Sequence, residues 1–377
     1  MTKDQPDNSI QNGDSPPELD KYFSIAVKTH ASDLHLKMGQ PPKLRIQGEL
    51  RNTNGEIMTE KRLVELVAEI LTEDQKVMFK EHGTLDFAYE VERRDRFRVN
   101  IFMQRGAVSL AARRVSSSVP PFESLHLPPI VEKIADSGQG LVLVVGPTGC
   151  GKTTTIASMI DHINRTRSCH IVTIEDPIEY LFKDEKAIVS QRAIGIDVKD
   201  FNEALRYLMR QDPDVVLVGE MRDSETVTAA MRAAETGHLV FGTMHSANAP
   251  QAVQRLLDLF PQNQRDLVRQ AFALTIKAIV CQILLPSLNK DIDRMPAIEI
   301  LLGNSTVKKF IAEGRESDLP AVIKNCIGEG MQDFTHSLCE LINNGSIEPK
   351  EAYRYAPNLE ELKMALKGIR ATSGGII

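Results

Sequence analysis

Leu141-Val142-Leu143-Val144-Val145-Gly146-Pro147-Thr148-Gly149-Cys150-Gly151-Lys152-Thr153 decides the fold of this 377-residue chain. The unbroken apolar run Leu141–Val145 is the mark of a strand buried on both faces. After it, Gly146–Thr153 fits the pattern GxxxxGK[ST], and Ile156, Met159, Ile160 and Ile163 recur at helical spacing. A buried strand, a glycine-rich loop and an amphipathic helix in this order form a phosphate cradle; a chance glycine turn would lack the flanking elements. The glycines let the loop wrap tightly, so that its N–H groups and the helix N-terminus can bind phosphate oxygens. Lys152 adds a point charge for the β- and γ-phosphates, and the Thr153 hydroxyl suits Mg²⁺. The nucleotide-binding set is therefore Gly146, Pro147, Thr148, Gly149, Cys150, Gly151, Lys152, Thr153 and Thr154, with ATP and Mg²⁺ as the expected cofactors. Cys150 reads as a small filler whose amide, not its thiol, serves the loop.

Strands and helices alternate beyond this point. The sequence predicts a strand at His170–Ile174, a helix at Asp200–Arg210 opened by Asp200 and Glu203, and a buried strand at Val215–Val218. A helix at Ser224–Thr236 stopped by Gly237 follows, then a strand at Leu239–Thr243. That order means a parallel α/β sheet, and such sheets place ligands at the carboxyl ends of their strands. Glu175, Asp176 and Glu179 fall just past one strand, bent onto a loop by Pro177, and Glu220 falls just past the next. An acid in such a place can hold Mg²⁺ or polarise a water, so Thr153 and Glu220 are the candidate metal ligands. His238 precedes the last strand and His245 leaves it; two histidines around one strand suit nucleotide sensing as well as a structural role. From about Gln251 to Gly368 the chain reads as mostly helical.

Upstream the pattern belongs to another class. Alternation at Ser32–Leu36, Leu44–Ile46, Leu85–Tyr89, Arg96–Met103 and Val108–Val115, with an amphipathic helix at Lys61–Ile70, predicts an α+β domain. Arg96, Arg98 and Asn100 share one strand face, and Arg113 and Arg114 follow on the next strand. They are either a solvated face or arginines that clamp a γ-phosphate. Residues 1–19 are polar and read as a disordered leader with no apolar signal-peptide core. Ser116–Pro121 is the best linker in the sequence.

The composition narrows the function. A net charge of −6 and a pI near 5.9 argue against a nucleic-acid partner. The five cysteines, Cys150, Cys169, Cys281, Cys326 and Cys339, include no CxxC pair, which excludes a disulfide framework and a paired-cysteine zinc ribbon. Free thiols and short apolar runs fit a soluble protein of the reducing cytosol.

Together these segments resemble the type II/IV secretion ATPase superfamily and, within it, the type IV pilus retraction ATPases. The resemblance runs from about Tyr22 to Ile369. It rests on four motifs in order: the loop Gly146–Thr153, an Asp box Ile174–Glu179, an atypical Walker B segment Asp212–Asp223 and a His box Thr236–Ser246. The resemblance implies a PAS-like first domain, a RecA-like ATPase domain with a helical C-terminal extension, and a homohexameric ring. It implies that Glu179 activates water, that Glu220 lies near Mg²⁺, and that His238 and His245 couple nucleotide state to the subunit interface. Arg98 and Arg113, with Arg96, match first-domain arginines that reach ATP. Assembly motors of the superfamily carry an extra N-terminal region and a paired-cysteine zinc site, which this sequence does not show, so retraction is the expected direction. Retraction members often carry an Ala-Ile-Arg-led motif where this chain has Ser305-Thr306-Val307-Lys308-Lys309-Phe310-Ile311; a main motor and an accessory paralogue both fit.

The expected architecture is a leader 1–19, an α+β domain 20–115, a linker 116–125, an ATPase domain 126–290 with its helical part 291–369, and a flexible tail 370–377. The expected activity is ATP hydrolysis coupled to pilus retraction, with catalytic residues Glu179, Glu220, Lys152, Arg98, Arg113, His238 and His245. The expected partners are further copies of the chain, an inner-membrane platform protein and a paralogous ATPase, at the cytoplasmic base of a pilus machine. The competing readings are an assembly or secretion motor, a nucleic-acid translocase and a nucleotide-gated scaffold.

Overall fold

The structure is a computed structural model and describes residues 16–46, 48–91, 95–115 and 118–369. It separates into two compact units, with the division after Ser117.

In the first unit, helix α1 (Asp20–Lys28) is followed by β1 (Asp33–Lys37), β2 (Lys43–Ile46) and β3 (Glu49–Asn52). Helices α2 (Glu60–Ile70) and α3 (Glu73–His82) come next, then β4 (Thr84–Val91), β5 (Asp95–Gln104) and β6 (Ala107–Val115). The strands form one antiparallel sheet in the order β3-β2-β1-β6-β5-β4. Along β5 the alternation is as the sequence predicts: Phe97, Val99 and Ile101 are buried, and Arg96, Arg98 and Asn100 lie on the more open face. The expected leader needs correction at its end. Leu19 is fully buried and the Glu18 amide donates to Glu69 Oε2 at 2.7 Å, so packing begins before Asp20. Residues 1–15 of that leader, Ser116 and Ser117 of the linker, and the tail 370–377 lie outside the described residues.

The second unit opens with the short helices α4 (Phe122–Leu125) and α5 (Ile130–Ala135). A helical turn inside the expected linker is a second correction; Ser158 also donates to the Pro120 carbonyl at 2.5 Å, which fixes this stretch to the helix behind it. Then come β7 (Gly140–Val145), α6 (Lys152–Thr166), β8 (His170–Glu175), β9 (Ile188–Ala193), α7 (Phe201–Leu208), β10 (Val215–Glu220), α8 (Ser224–Glu235) and β11 (Leu239–Met244). Helices α9 (Ala249–Asp258) and α10 (Arg265–Thr275) lead into β12 (Ile276–Pro286) and β13 (Arg294–Leu302). Five helices close the unit: α11 (Ser305–Ala312), α12 (Leu319–Asn325), α13 (Phe334–Asn343), α14 (Pro349–Tyr355) and α15 (Leu359–Leu366).

The seven strands lie in the order β13-β12-β7-β11-β10-β8-β9, all neighbours parallel except β12 and β13. Every residue of β7 is buried, and each such Val or Leu contributes about 1.5–3 kcal/mol. Two strands in a region expected to be mostly helical are the main correction to the fold. Ala278–Leu285 and Ala297–Leu302 are apolar runs without helical gaps, and a short run of that kind does not distinguish helix from strand. Here they become strands because they pair with each other and extend the sheet past β7. The edge strand β9 also goes unpredicted, since Ser190-Gln191-Arg192 is polar and only half-buried.

Among the described residues no helix is long and apolar enough to cross a membrane.

Candidate nucleotide site

The parallel strands β7, β8, β10 and β11 all end at one edge of the sheet. Register makes the ends level: Val145 lies beside Met244, Thr243 beside Glu220, and Ile174 beside Val218. The loops that leave those ends therefore converge. They enclose a cleft of about 440 Å³ bordered by Lys152 and Thr153 on one side and by Glu175, Glu179, Glu220 and His245 on the other. Four separate sequence segments are thus brought together by topology alone.

The loop itself is held by a residue that the sequence reading did not single out. Gln282 of β12 is buried, and its Oε1 accepts from the Thr155 hydroxyl at 2.8 Å. Both outer glycines of the loop pack against it. A Cβ on Gly146 would sit 2.3 Å from the Gln282 carbonyl oxygen, and one on Gly151 would sit 2.8 Å from its Nε2. Both glycines also have positive φ, 152° and 88°, which disfavours any side chain there. The available signal was a lone polar residue inside the apolar run Ile279–Leu285.

Lys152 is the first residue of α6. Its Nζ donates to the carbonyls of Gly146 at 2.9 Å and Pro147 at 3.0 Å, which holds the ammonium over the loop. Thr154 faces Tyr180, with their hydroxyl oxygens 3.0 Å apart. Cys150 is buried behind the loop, and burial pushes its thiol up, away from the reactive thiolate.

The acids differ in environment. Glu175 is buried; the Thr173 hydroxyl donates to it at 2.7 Å and Gln191 Nε2 at 3.2 Å. Burial raises its pKa above the usual carboxylate value, although these hydrogen bonds oppose the shift. Glu220 behaves in the opposite way. Its hydrogen bond from Arg222 Nη2, 2.5 Å away, holds its carboxyl below the usual range, against partial desolvation. His245 Nε2 stands 3.2 Å from its other oxygen. A register shift between Val218 and Glu220 accompanies this turn of Glu220 toward the cleft, and Thr243 ties it down by donating to the Gly219 carbonyl at 2.7 Å. Glu179 lies on the exposed loop beyond β8, and among the described residues no ion pair engages its carboxylate.

Not every expected residue joins this group. His238 enters β11 at the other end of the strand, about 23 Å from His245 at strand spacing. Its Nδ1 lies 2.8 Å from the Ala233 carbonyl oxygen and 3.1 Å from the Thr236 hydroxyl, the contacts of a helix-end residue. Arg98 and Arg113 belong to the first unit, where they stand opposite each other on β5 and β6. Arg98 Nε is 3.5 Å from Asp86, and Arg113 Nε donates to buried Asp33 at 2.9 Å while its side chain stays 73% exposed. Arg96, by contrast, pairs with Val115. A second, smaller cleft of about 180 Å³ lies beside Gly151 and Thr154, walled by Leu125, Leu127, Leu284 and Arg294; nothing in the sequence pattern indicated it.

A strand–P-loop–helix unit whose phosphate cradle faces acids on neighbouring strand ends defines the P-loop ATPase class. Comparison places the chain within that class. The sequence profile of the type II/IV secretion system protein family matches residues 11–332, and the chain belongs to that family of ATPases. It is 37% identical over 335 residues to the type IV pilus retractation ATPase PilT of Pseudomonas aeruginosa, covering 89% of this chain and 97% of that protein. It is 35% identical over 350 residues to the type IV pilus ATPase PilU of the same organism, covering 93% and 91%. The solved structure of the pilus retraction motor PilT with bound ADP superposes with a TM-score of 0.85 at 40% identity, covering 93% of this chain and 99% of that one.

Proposed function

We propose that this chain is a Mg²⁺-dependent ATPase that works as a homohexameric ring and powers retraction of a type IV pilus. The observation that carries the ATPase step is the cleft in which Lys152 and Thr153 face Glu179 and Glu220. The near full-length likeness to PilT supports the coupling to pilus retraction.

In this reading the first unit is PAS-like and the second RecA-like. The loop amides of Gly146–Thr153 and the Lys152 ammonium hold the phosphates, and the base enters the smaller cleft beside Thr154. The Thr153 hydroxyl and Glu220 fit Mg²⁺, which needs only one or two protein oxygens when phosphates and waters supply the rest. When bound there the ion neutralises charge on the phosphates. Glu179 takes a proton from the attacking water. His245 orients Glu220 and reports its state. The arginine pair Arg98 and Arg113 acts as the γ-phosphate clamp. The ring acts on a platform protein at the cytoplasmic face of the inner membrane, and a paralogous ATPase can share the work.

Phosphate release by the purified chain tests the chemistry. Release is expected to require Mg²⁺ and to stop on chelation; release that continues undiminished in excess EDTA contradicts the metal assignment. Arg98→Ala and Arg113→Ala are each expected to slow turnover by about a hundredfold or more, with the oligomer intact. Normal turnover by both variants makes these arginines a solvated face.

A further inference from the structure

We infer that Glu299 is a positioning residue of the hydrolytic site: it clamps the first amide of α9 and so fixes the arm His245–Asn248 that carries His245 to Glu220. The inference rests on the cleft being the site of hydrolysis.

Glu299 lies in β13, two strands from the P-loop strand, yet it is level with the loop. It pairs with Cys281 of β12, and Cys281 pairs with Val145 at the end of β7. Glu299 is only 7% exposed. One carboxylate oxygen accepts the Ala249 N–H at 2.8 Å, and the Cys281 thiol also bonds to the group. Ala249 is the first residue of α9, capped by Asn248, whose Oδ1 accepts from Gln251 N at 3.0 Å. From there the chain leads back through the arm, where the Ser246 hydroxyl donates to the Asn248 carbonyl at 3.2 Å, to His245. His245 in turn stands 3.2 Å from Glu220. Each end of the arm thereby meets a carboxylate, Glu299 behind and Glu220 in front.

Stability alone does not account for an acid in this place. Among the described residues no ion pair engages Glu299, and a buried carboxylate in that condition is costly. Burial pushes Glu299 up to about 7, with Asp333 adding repulsion and the Ala249 amide and Cys281 opposing it. What the charge gains is a strong acceptor for an amide at a helix N-terminus, where a negative group is favoured. A glutamine of the same shape keeps the acceptor, loses the charge and is cheaper to bury.

The test compares Glu299→Gln and Glu299→Ala with the wild type at pH 8, reading Tm, KM and kcat for phosphate release. The folded-state pKa lies above that of the unfolded chain, so at pH 8 the native fold carries the cost of a buried charge. Glu299→Gln is therefore expected to match or exceed the wild-type Tm while kcat falls by about threefold to tenfold with KM within twofold. Glu299→Ala, which leaves the amide unpaired, is expected to lose more kcat than Glu299→Gln. A kcat that falls only in step with Tm, a raised KM at constant kcat, or wild-type kcat in both variants overturns the inference. Should Glu299→Ala not fold, Glu299→Gln in a His245→Ala background decides: no further loss supports action through His245, and an additive loss refutes it. Lys152→Ala run alongside separates the two claims. Undiminished release there removes the underlying site, whereas lost release there with unaltered Glu299 variants removes only this inference.

Discussion

Lys152→Ala is expected to abolish phosphate release, by at least about a hundredfold, in a protein that melts within a few degrees of the wild type. The Lys152 ammonium is held by the Gly146 and Pro147 carbonyls at the root of the loop, and its charge is what a phosphate chain meets there. The side chain makes no part of the hydrophobic core, so removing it costs the fold little. The loop is also held through Gln282, by its bond from Thr155 and its packing against Gly146 and Gly151, contacts that the Lys152 side chain does not make. Loss of turnover with a retained melting profile is therefore the signature of a binding-charge defect. Wild-type release by the folded variant removes the cleft from consideration as the catalytic site.

Glu179→Gln is expected to bind ATP as the wild type does and to turn it over about two orders of magnitude more slowly, the loss typical of a missing general base. Three glutamates share the cleft, and their surroundings separate them. Glu175 is buried, locked by Thr173 and Gln191, and raised toward its neutral form. Glu220 is held by Arg222 and His245 and shifted down, which makes it a weak base and a good partner for a cation. Glu179 stands exposed on the loop beyond β8, and among the described residues no ion pair engages its carboxylate. Nucleotide affinity measured by fluorescence and turnover measured by phosphate release separate the two steps. Unchanged turnover moves the role of base to Glu220 or Glu175.

The second unit's central sheet was legible because its strands are buried on both faces and end in chemistry. Leu141–Val145 and Val215–Val218 are short, rich in valine and each followed by a glycine, which favours strand over helix, and the strand-end rule then collects Lys152, Glu179, Glu220 and His245 at one edge. His238 shows the limit of that rule. It belongs to the same short motif as His245, but a strand separates them and only one exit faces the cleft. The strands β12 and β13 were hidden because their apolar runs lack a period that distinguishes a buried strand from a buried helix. With them went Gln282 and Glu299, polar residues whose partners Thr155 and Ala249 lie far away in sequence. Pairing across such distances leaves no local pattern. The polar interruptions of apolar runs were the trace they left. In the first unit the alternation of Arg96-Phe97-Arg98-Val99 gave the face correctly, while the buried Asp33 beneath Arg113 needed the β1–β6 register to be seen.

Time-lapse imaging of labelled pili, in cells whose sole copy of this chain carries Lys152→Ala, tests most directly the claim that turnover in this cleft drives retraction. The expected result is pili that extend and stay out, with retraction events absent or rare. Retraction at wild-type frequency, or cells bare of pili, would contradict it.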